Sequence, residues 1–136
     1  MLHNFKNKVI VVTGGTGYIG SSLIARLRGK TKRLICVSRK NLKPNKGVEN
    51  WKLDITDYTS WKKIVSEADI IFHLACNTSI YDAEKNPSEN VMINLLPITL
   101  LINASKELSR IPRVVFASTA TVYGLSLIHI SEPTDS

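Results

Sequence analysis

Hydrophobic residues fall along this chain in two alternating patterns: short continuous apolar runs, and longer stretches in which apolar positions return every three or four residues. The runs are Val9-Ile10-Val11-Val12, Leu34-Ile35-Cys36-Val37, Asp69 to Ala75 and Arg113 to Ala117, with a more mixed one from Val48 to Leu53. Continuous β-branched stretches of this length mark strands covered on both faces, as in a parallel sheet. Between them Ile19, Leu23, Ile24 and Leu27 make one helix face and Trp61, Ile64, Val65 and Ala68 a second. Val91, Leu95, Ile98, Leu101 and Ile102 make a third. Strand and helix alternating in this way predict an α/β domain, a doubly wound parallel sheet with flanking helices.

Punctuation supports the same elements. Gly29 suits the carboxyl-terminal cap of the first helix, and Pro44-Asn45-Lys46-Gly47 is a turn. Asp57 suits the amino-terminal cap of the second helix, while Asn86 followed by Pro87 opens the next. Pro97 falls inside that helix, where it removes a donor at a cost of about 3 kcal/mol if nothing compensates, and predicts a kink.

The candidate chemistry centres on Thr13-Gly14-Gly15-Thr16-Gly17-Tyr18-Ile19-Gly20, which follows the first strand and opens the first helix. Gly14 permits a sharp turn, Gly17 removes the Cβ that would hold a pyrophosphate off the backbone, and Gly20 lets the helix lie close. The helix start then offers unpaired N–H groups and the positive end of its dipole to phosphates. The spacing Gly-x-x-Gly-x-x-Gly, joined to Tyr18-Ile19-Gly20, resembles the extended short-chain dehydrogenase/reductase superfamily of nucleotide-sugar epimerases and dehydratases. The resemblance implies a Rossmann-type sheet, here incomplete with about five strands, and nicotinamide-dependent hydride transfer on a nucleotide-linked sugar.

The second strand ends Val37-Ser38-Arg39-Lys40. An acid at the Ser38 position would accept hydrogen bonds from adenosine ribose hydroxyls, whereas a 2′-phosphate requires positive charge. Ser38 followed by two cations therefore favours NADP over NAD, against the plainer reading that Arg39 and Lys40 only begin a basic loop. By resemblance, the Asp54 carboxylate faces the adenine amino group and the Ile55 amide reaches the ring. A turn aspartate is the alternative. His73-Leu74-Ala75 is similar to the family's His-x-Ala segment, whose backbone lines the cofactor; His73 itself reads as a packed, hydrogen-bonded residue and Ala75 as room for a ligand.

Asn94 matches a family asparagine beside the active centre, with a solvent-facing helix residue as the alternative, and Pro97 stands where the family usually has glycine. Val114-Val115-Phe116-Ala117-Ser118-Thr119 leading to Val122-Tyr123-Gly124 is a second match, in which the active hydroxyl falls on Thr119. In the family that hydroxyl binds the substrate oxygen, a tyrosinate exchanges its proton, and a lysine lowers the tyrosine pKa and holds the cofactor ribose. Tyr81 and Lys85 have the Tyr-x-x-x-Lys spacing of that pair, but they precede the Ser/Thr strand and stand in a polar loop, so they are read as a coincidence.

A net charge of +7 raises the question of nucleic acid, since nine of the eighteen Lys and Arg lie between Arg26 and Lys46 and no acid precedes Glu49. Aromatics are not interleaved there, and the stretch reads as a solvated helix end and loop without a nucleic-acid partner. Cys36 and Cys76 read as small core residues in a reducing compartment, and the scattered His3, His73 and His129 predict no metal site. No run has the ~20 apolar residues of a membrane span, and no export signal precedes Asn77-Thr78-Ser79, so a cytoplasmic location without membrane contact or glycosylation is expected.

A chain of 136 residues supports one domain. The resemblance covers residues 8 to 124, so that 1–124 reads as a partial NAD(P)-binding domain. Residues 125–136 fit no part of the family. Leu125 to Thr134 resemble one reading frame of a transposase adapter used in DNA library preparation, from which Asp135 and Ser136 depart. The tail is therefore expected to be non-native and the chain inactive, lacking the catalytic Tyr and Lys, with a homodimer possible for a completed enzyme. Two other readings stay open: a non-catalytic NADP-sensing regulator, and an NADPH-dependent reductase of a non-sugar carbonyl.

Overall fold

The structure is a computed structural model that describes residues 2–118. After a 3-10 turn at Leu2–Phe5 the elements are β1 (Val9–Thr13), α1 (Tyr18–Leu27), β2 (Arg33–Ser38), β3 (Glu49–Lys52), α2 (Tyr58–Glu67) and β4 (Ile70–His73). Then follow α3 (Ile80–Lys85), α4 (Pro87–Asn94), α5 (Leu96–Glu107) and β5 (Arg113–Phe116). All strand pairs are parallel, in the order β3-β2-β1-β4-β5. This is the parallel α/β sheet predicted from the alternating pattern, in the Rossmann-like form that the resemblance implies.

Side-chain alternation along each strand explains why the central runs are apolar throughout. Val9, Val11, Ile35, Val37 and Ile71 face one side and pack with Trp61, Ile64 and Val65 of α2 and Leu101 and Ala104 of α5. Ile10, Val12, Leu34, Cys36 and Ile70 face the other and pack with Ile24 and Leu27 of α1.

Polar clamps concentrate at the amino-terminal edge of the sheet. The Val9 amide donates to Asp69 Oδ2 at 2.8 Å, and Arg110 donates to the carbonyls of Val65 and Ala68, each at 2.9 Å, and to Asp69 Oδ1 at 3.1 Å. Arg33 makes a two-pronged pair with Glu49 and a third contact with Glu67. These pairs hold the Arg33 guanidinium well above its ordinary pKa and the Glu49 carboxyl below its own.

Several expectations need correction. Ile19 is 65% exposed, because the buried stripe of α1 is Gly20, Ile24 and Leu27, and Ile19 lies about 100° round the helix from Gly20. Counting apolar side chains overlooks a buried position filled by glycine. The helix expected across Val91 to Ile102 is two helices: Pro97 is buried in the first turn of α5, and Leu95 separates that helix from α4. The break resets the helical phase, leaving Val91, Leu95 and Ile102 exposed while Pro97, Leu101, Ala104 and Ser105 are buried. Asp57 and Asn86 occupy cap positions without a side-chain capping bond. Tyr81 and Lys85 sit on α3, not in a loop, with Ser79 capping it through a bond from the Asp82 amide at 3.2 Å. Cys76 is exposed where a core residue was expected, since β4 ends at His73 and Cys76 lies in the connection beyond it.

Candidate functional site

In a parallel sheet all carboxyl ends reach one edge, and here the order turns back between β1 and β4, the position at which open α/β sheets form a ligand crevice. A cleft of about 480 Å³ opens at that edge. Its wall is built from Gly14, Thr16 and Gly17 after β1, Ser38, Arg39 and Lys40 after β2, Asp54, Ile55 and Thr56 after β3, and Leu74, Ala75 and Cys76 after β4. Val37, Leu42, Leu53 and Ile93 add apolar surface.

The glycine loop is shaped by what surrounds it. Gly14 has φ 73°, and a Cβ there would stand 2.6 Å from the Ala75 nitrogen and 2.7 Å from the Leu74 carbonyl carbon. The exits of β1 and β4 therefore meet backbone to backbone. A Cβ on Gly20 would lie 2.1 Å from Gly14 O, so only glycine lets the first turn of α1 fold against the loop. Gly17 differs: its φ is −77°, and the nearest atom to a Cβ there is Gly14 O at 3.3 Å.

Helix α1 begins at Gly17 without a side-chain cap and with no acid in its first turn. The amides of Tyr18, Ile19 and Gly20 have no acceptor among the described residues. The side chains of Tyr18 and Ile19 stand in solvent and do not line the cleft, and buried Gly20 is also outside its wall. What these three residues present at the helix start is unpaired backbone N–H.

Ser38 accepts from the Lys40 amide at 3.2 Å, a local turn that starts the basic loop. Arg39 and Lys40 are exposed and form no ion pair among the described residues. Asp54 Oδ1 accepts from the Thr56 amide at 2.9 Å and from Thr56 Oγ1 at 2.7 Å. Those two bonds, amide first, hold its carboxyl below the usual range. The turn role weighed for Asp54 is thus present, while Oδ2 has no hydrogen-bond partner among the described residues. The Ile55 carbonyl is taken by Trp61 Nε1 at 2.7 Å.

Asn94 lies outside the cleft wall. Its side chain closes on the backbone of one residue, accepting from the Asn77 amide at 2.7 Å and donating to the Asn77 carbonyl at 3.0 Å. It anchors the connection after β4 to the end of α4. His73 is buried with its Nδ1 2.7 Å from Thr13 Oγ1, edge-on to Trp61 and stacked with Phe116; burial pushes its pKa down. Thr119, the candidate catalytic hydroxyl, and the Val122-Tyr123-Gly124 element lie outside the described residues. Among the described residues no group of three or more His, Cys, Asp and Glu is placed to hold a metal, and no helix is long and apolar enough to cross a membrane.

Sequence reasoning missed Val37, Leu42, Leu53, Thr56 and Ile93 in the cleft wall. Thr56 carried a signal, since Asp-x-Thr is a common turn in which the side chain of the first residue accepts from the third. Ile93 carried none, because its approach depends on where α4 packs.

Comparison with known proteins agrees with this geometry. Residues 10–136 match the NAD dependent epimerase/dehydratase family. The chain is 32% identical over 130 residues to UDP-glucuronic acid decarboxylase 3 of Arabidopsis thaliana, covering 90% of this chain and 37% of that protein. It is 29% identical over 125 residues to UDP-glucose 4-epimerase of Mycoplasma genitalium, covering 85% of this chain and 37% of that protein. Among solved structures it superimposes on the epimerase Mth375 of Methanothermobacter thermautotrophicus with a TM-score of 0.77 and 26% identity, over 91% of this chain and 39% of that one. It therefore spans somewhat over a third of the length of these relatives. With the parallel sheet, the glycine turn and the crevice at the reversal of strand order, the match over residues 10–136 means that this chain belongs to the NAD dependent epimerase/dehydratase family.

Proposed function

We propose that this chain is the cofactor-binding part of an NAD(P)-dependent nucleotide-sugar epimerase or dehydratase, with NADP favoured over NAD. The observation that carries the reading is Gly17. Its φ of −77° is open to any residue, and the protein itself presents only Gly14 O at 3.3 Å to a Cβ there. Neither backbone strain nor severe crowding demands glycine at this cleft-lining position, but a ligand approaching the backbone does. The uncapped start of α1 supplies donors for that ligand, which suits a pyrophosphate.

On this reading Gly14, Thr16 and Gly17 hold the phosphates with the amides of Tyr18, Ile19 and Gly20. Arg39 and Lys40 meet the 2′-phosphate that Ser38, lacking a carboxylate, does not repel. Asp54 through its free oxygen and Ile55 through its amide hold the adenine. Leu74 and Ala75 form the floor beneath the nicotinamide half, and Asn94 keeps the neighbouring loop in place. Bound nicotinamide supplies a hydride donor and acceptor. Thr119 would hydrogen-bond the sugar oxygen from which the proton leaves. We carry the division at residue 124 as part of the proposal: residues 1–124 form the partial cofactor domain and 125–136 a non-native tail, which resequencing the gene beyond codon 124 checks.

The test is titration of the full-length protein with NADPH and with NADH, followed by fluorescence. Tighter binding of NADPH is expected. Equal or tighter NADH binding overturns the role given to Ser38, Arg39 and Lys40, and binding of neither overturns the whole reading.

A further inference from the structure

Thr13 Oγ1 sits between two nitrogen atoms of β4 and its extension. It lies 2.7 Å from His73 Nδ1 and accepts from the Ala75 amide at 3.3 Å, while the Thr13 carbonyl accepts from the Leu74 amide at 3.1 Å. The amide can only donate, so one lone pair of the hydroxyl is committed to Ala75. Thr13 is fully buried, and the hydroxyl proton has no other acceptor among the described residues than His73 Nδ1. If Nδ1 carried a proton, two donors would converge on the same oxygen and the hydroxyl hydrogen would be orphaned in the core, an expensive arrangement. The arrangement that leaves no hydrogen orphaned at Thr13 is Thr13 O–H to Nδ1 and Ala75 N–H to Thr13 Oγ1, which places the imidazole proton on Nε2.

This pair adjoins the cleft directly. Gly14 follows Thr13, Ala75 is the hydrogen-bond partner, and both line the cleft wall. A Cβ on Gly14 would reach within 2.6 Å of the Ala75 nitrogen, so there is no slack between the two strand exits. Trp61 and Phe116 fix the plane of the imidazole, and no charged side chain acts on it in the described structure, its lowered pKa arising from burial alone.

We propose that His73 is a positioning residue for cofactor binding: by accepting the Thr13 hydroxyl proton it orients that hydroxyl to hold the Ala75 amide, and so sets the separation of the two walls that meet at Gly14. His73 itself touches no ligand in this account. The proposal rests on the cofactor reading of the cleft, and the two fail differently. His73→Phe keeps a ring between Trp61 and Phe116 but removes the acceptor. His73→Asn loses the ring but carries an amide oxygen one bond from Cγ, as imidazole carries Nδ1.

In the full-length protein, thermal melts without cofactor and titrations with NADPH and NADH are run on wild type and both variants. His73→Phe is expected to bind cofactor about tenfold more weakly, the usual worth of one buried hydrogen bond, and His73→Asn within about threefold of wild type whatever its melting temperature. Long-range proton–nitrogen correlation of the wild-type imidazole is expected to show the proton on Nε2. A proton on Nδ1, or unchanged affinity in His73→Phe, overturns the proposal. So does equal weakening in both variants in step with their melting temperatures, which marks a merely structural histidine. Failure of the wild type to bind either cofactor overturns the reading of the cleft instead.

Discussion

At the scale of single residues, two glycines of one loop do different work, and substitution separates them. Gly14 is held by the fold: its left-handed φ of 73° and the 2.6 Å approach of the Ala75 nitrogen leave no room for a side chain. Gly14→Ala is expected to lower stability by about 2 kcal/mol or more, measured by urea unfolding. Gly17→Ala should lower stability much less than Gly14→Ala, because φ −77° is allowed and its one close neighbour, Gly14 O at 3.3 Å, has to give by only a few tenths of an ångström. It should nonetheless weaken NADPH binding tenfold or more in the full-length protein. Both glycines belong to one legible motif, whose spacing already assigns the turn to Gly14 and the ligand's approach to Gly17; the structure supplies the physical ground for the distinction. That ground is a φ angle and the atoms a Cβ would meet. Asn94 is similar: the resemblance marked it, while its two-bond grip on the backbone of Asn77 was visible only once α4 and the loop were packed.

At the scale of elements, the three central strands β1, β2 and β4 were the most legible part, because a strand covered on both faces must be apolar at every position. β5 was expected to be covered in the same way, but it is an edge of the described sheet and its residues are exposed. The helices were less legible. Helix α2 matches its pattern closely, with Trp61, Ile64, Val65 and Ala68 all buried. The helix read across Val91 to Ile102 does not, because the break at Leu95 and the buried Pro97 change the phase halfway. Pro97 announced a kink; the direction in which the chain continues afterwards is a matter of packing against α2. The carboxyl end of α2 illustrates a long-range cap. Arg110, 45 residues from Val65 and 42 from Ala68, supplies the donors that the helix end lacks. Arg110→Met should cost about 1–2 kcal/mol in chemical unfolding, a value discounted for the partial exposure of the Arg110–Asp69 pair. A change under a few tenths of a kcal/mol would mean that water replaces the guanidinium there.

At the scale of the whole molecule, the two edges of the sheet are specialised. Ion pairs tie the amino-terminal edge and the cleft occupies the carboxyl-terminal one, which gives stability a definite pH dependence. The carboxyls of Glu49 and Asp69 are held below their ordinary range, the first mainly by Arg33 and the second mainly by the Val9 amide. Their contribution is present above the ordinary carboxylate range and is lost as pH falls through the lowered values. His73 is pushed below its usual 6.5, so the unfolded chain binds its proton more readily, and stability declines as pH falls below that value. Both effects have the same sign. Unfolding free energy is expected to be level from about pH 7 to 8 and to fall on acidification, and His73→Asn should remove the first part of that fall. A second expectation concerns β5, whose Val114, Val115 and Phe116 are 40%, 41% and 55% exposed. The 136-residue chain expressed alone should self-associate through this apolar edge, seen as concentration-dependent sedimentation, and Phe116→Lys should reduce it.

The amino-acid sequence by itself determined the fold class, the succession of its five strands and the loop that opens the first helix. These depend on local periodicity and on the few residues that permit a sharp turn, and both are written along the chain. Tertiary structure alone decided which of those residues share a cleft wall, that the side chains of Tyr18 and Ile19 stand outside it, and that Thr13 and His73 meet across 60 residues of sequence. The reason is physical: a hydrogen bond or a close approach between strands depends on distances that exist only after the sheet has assembled.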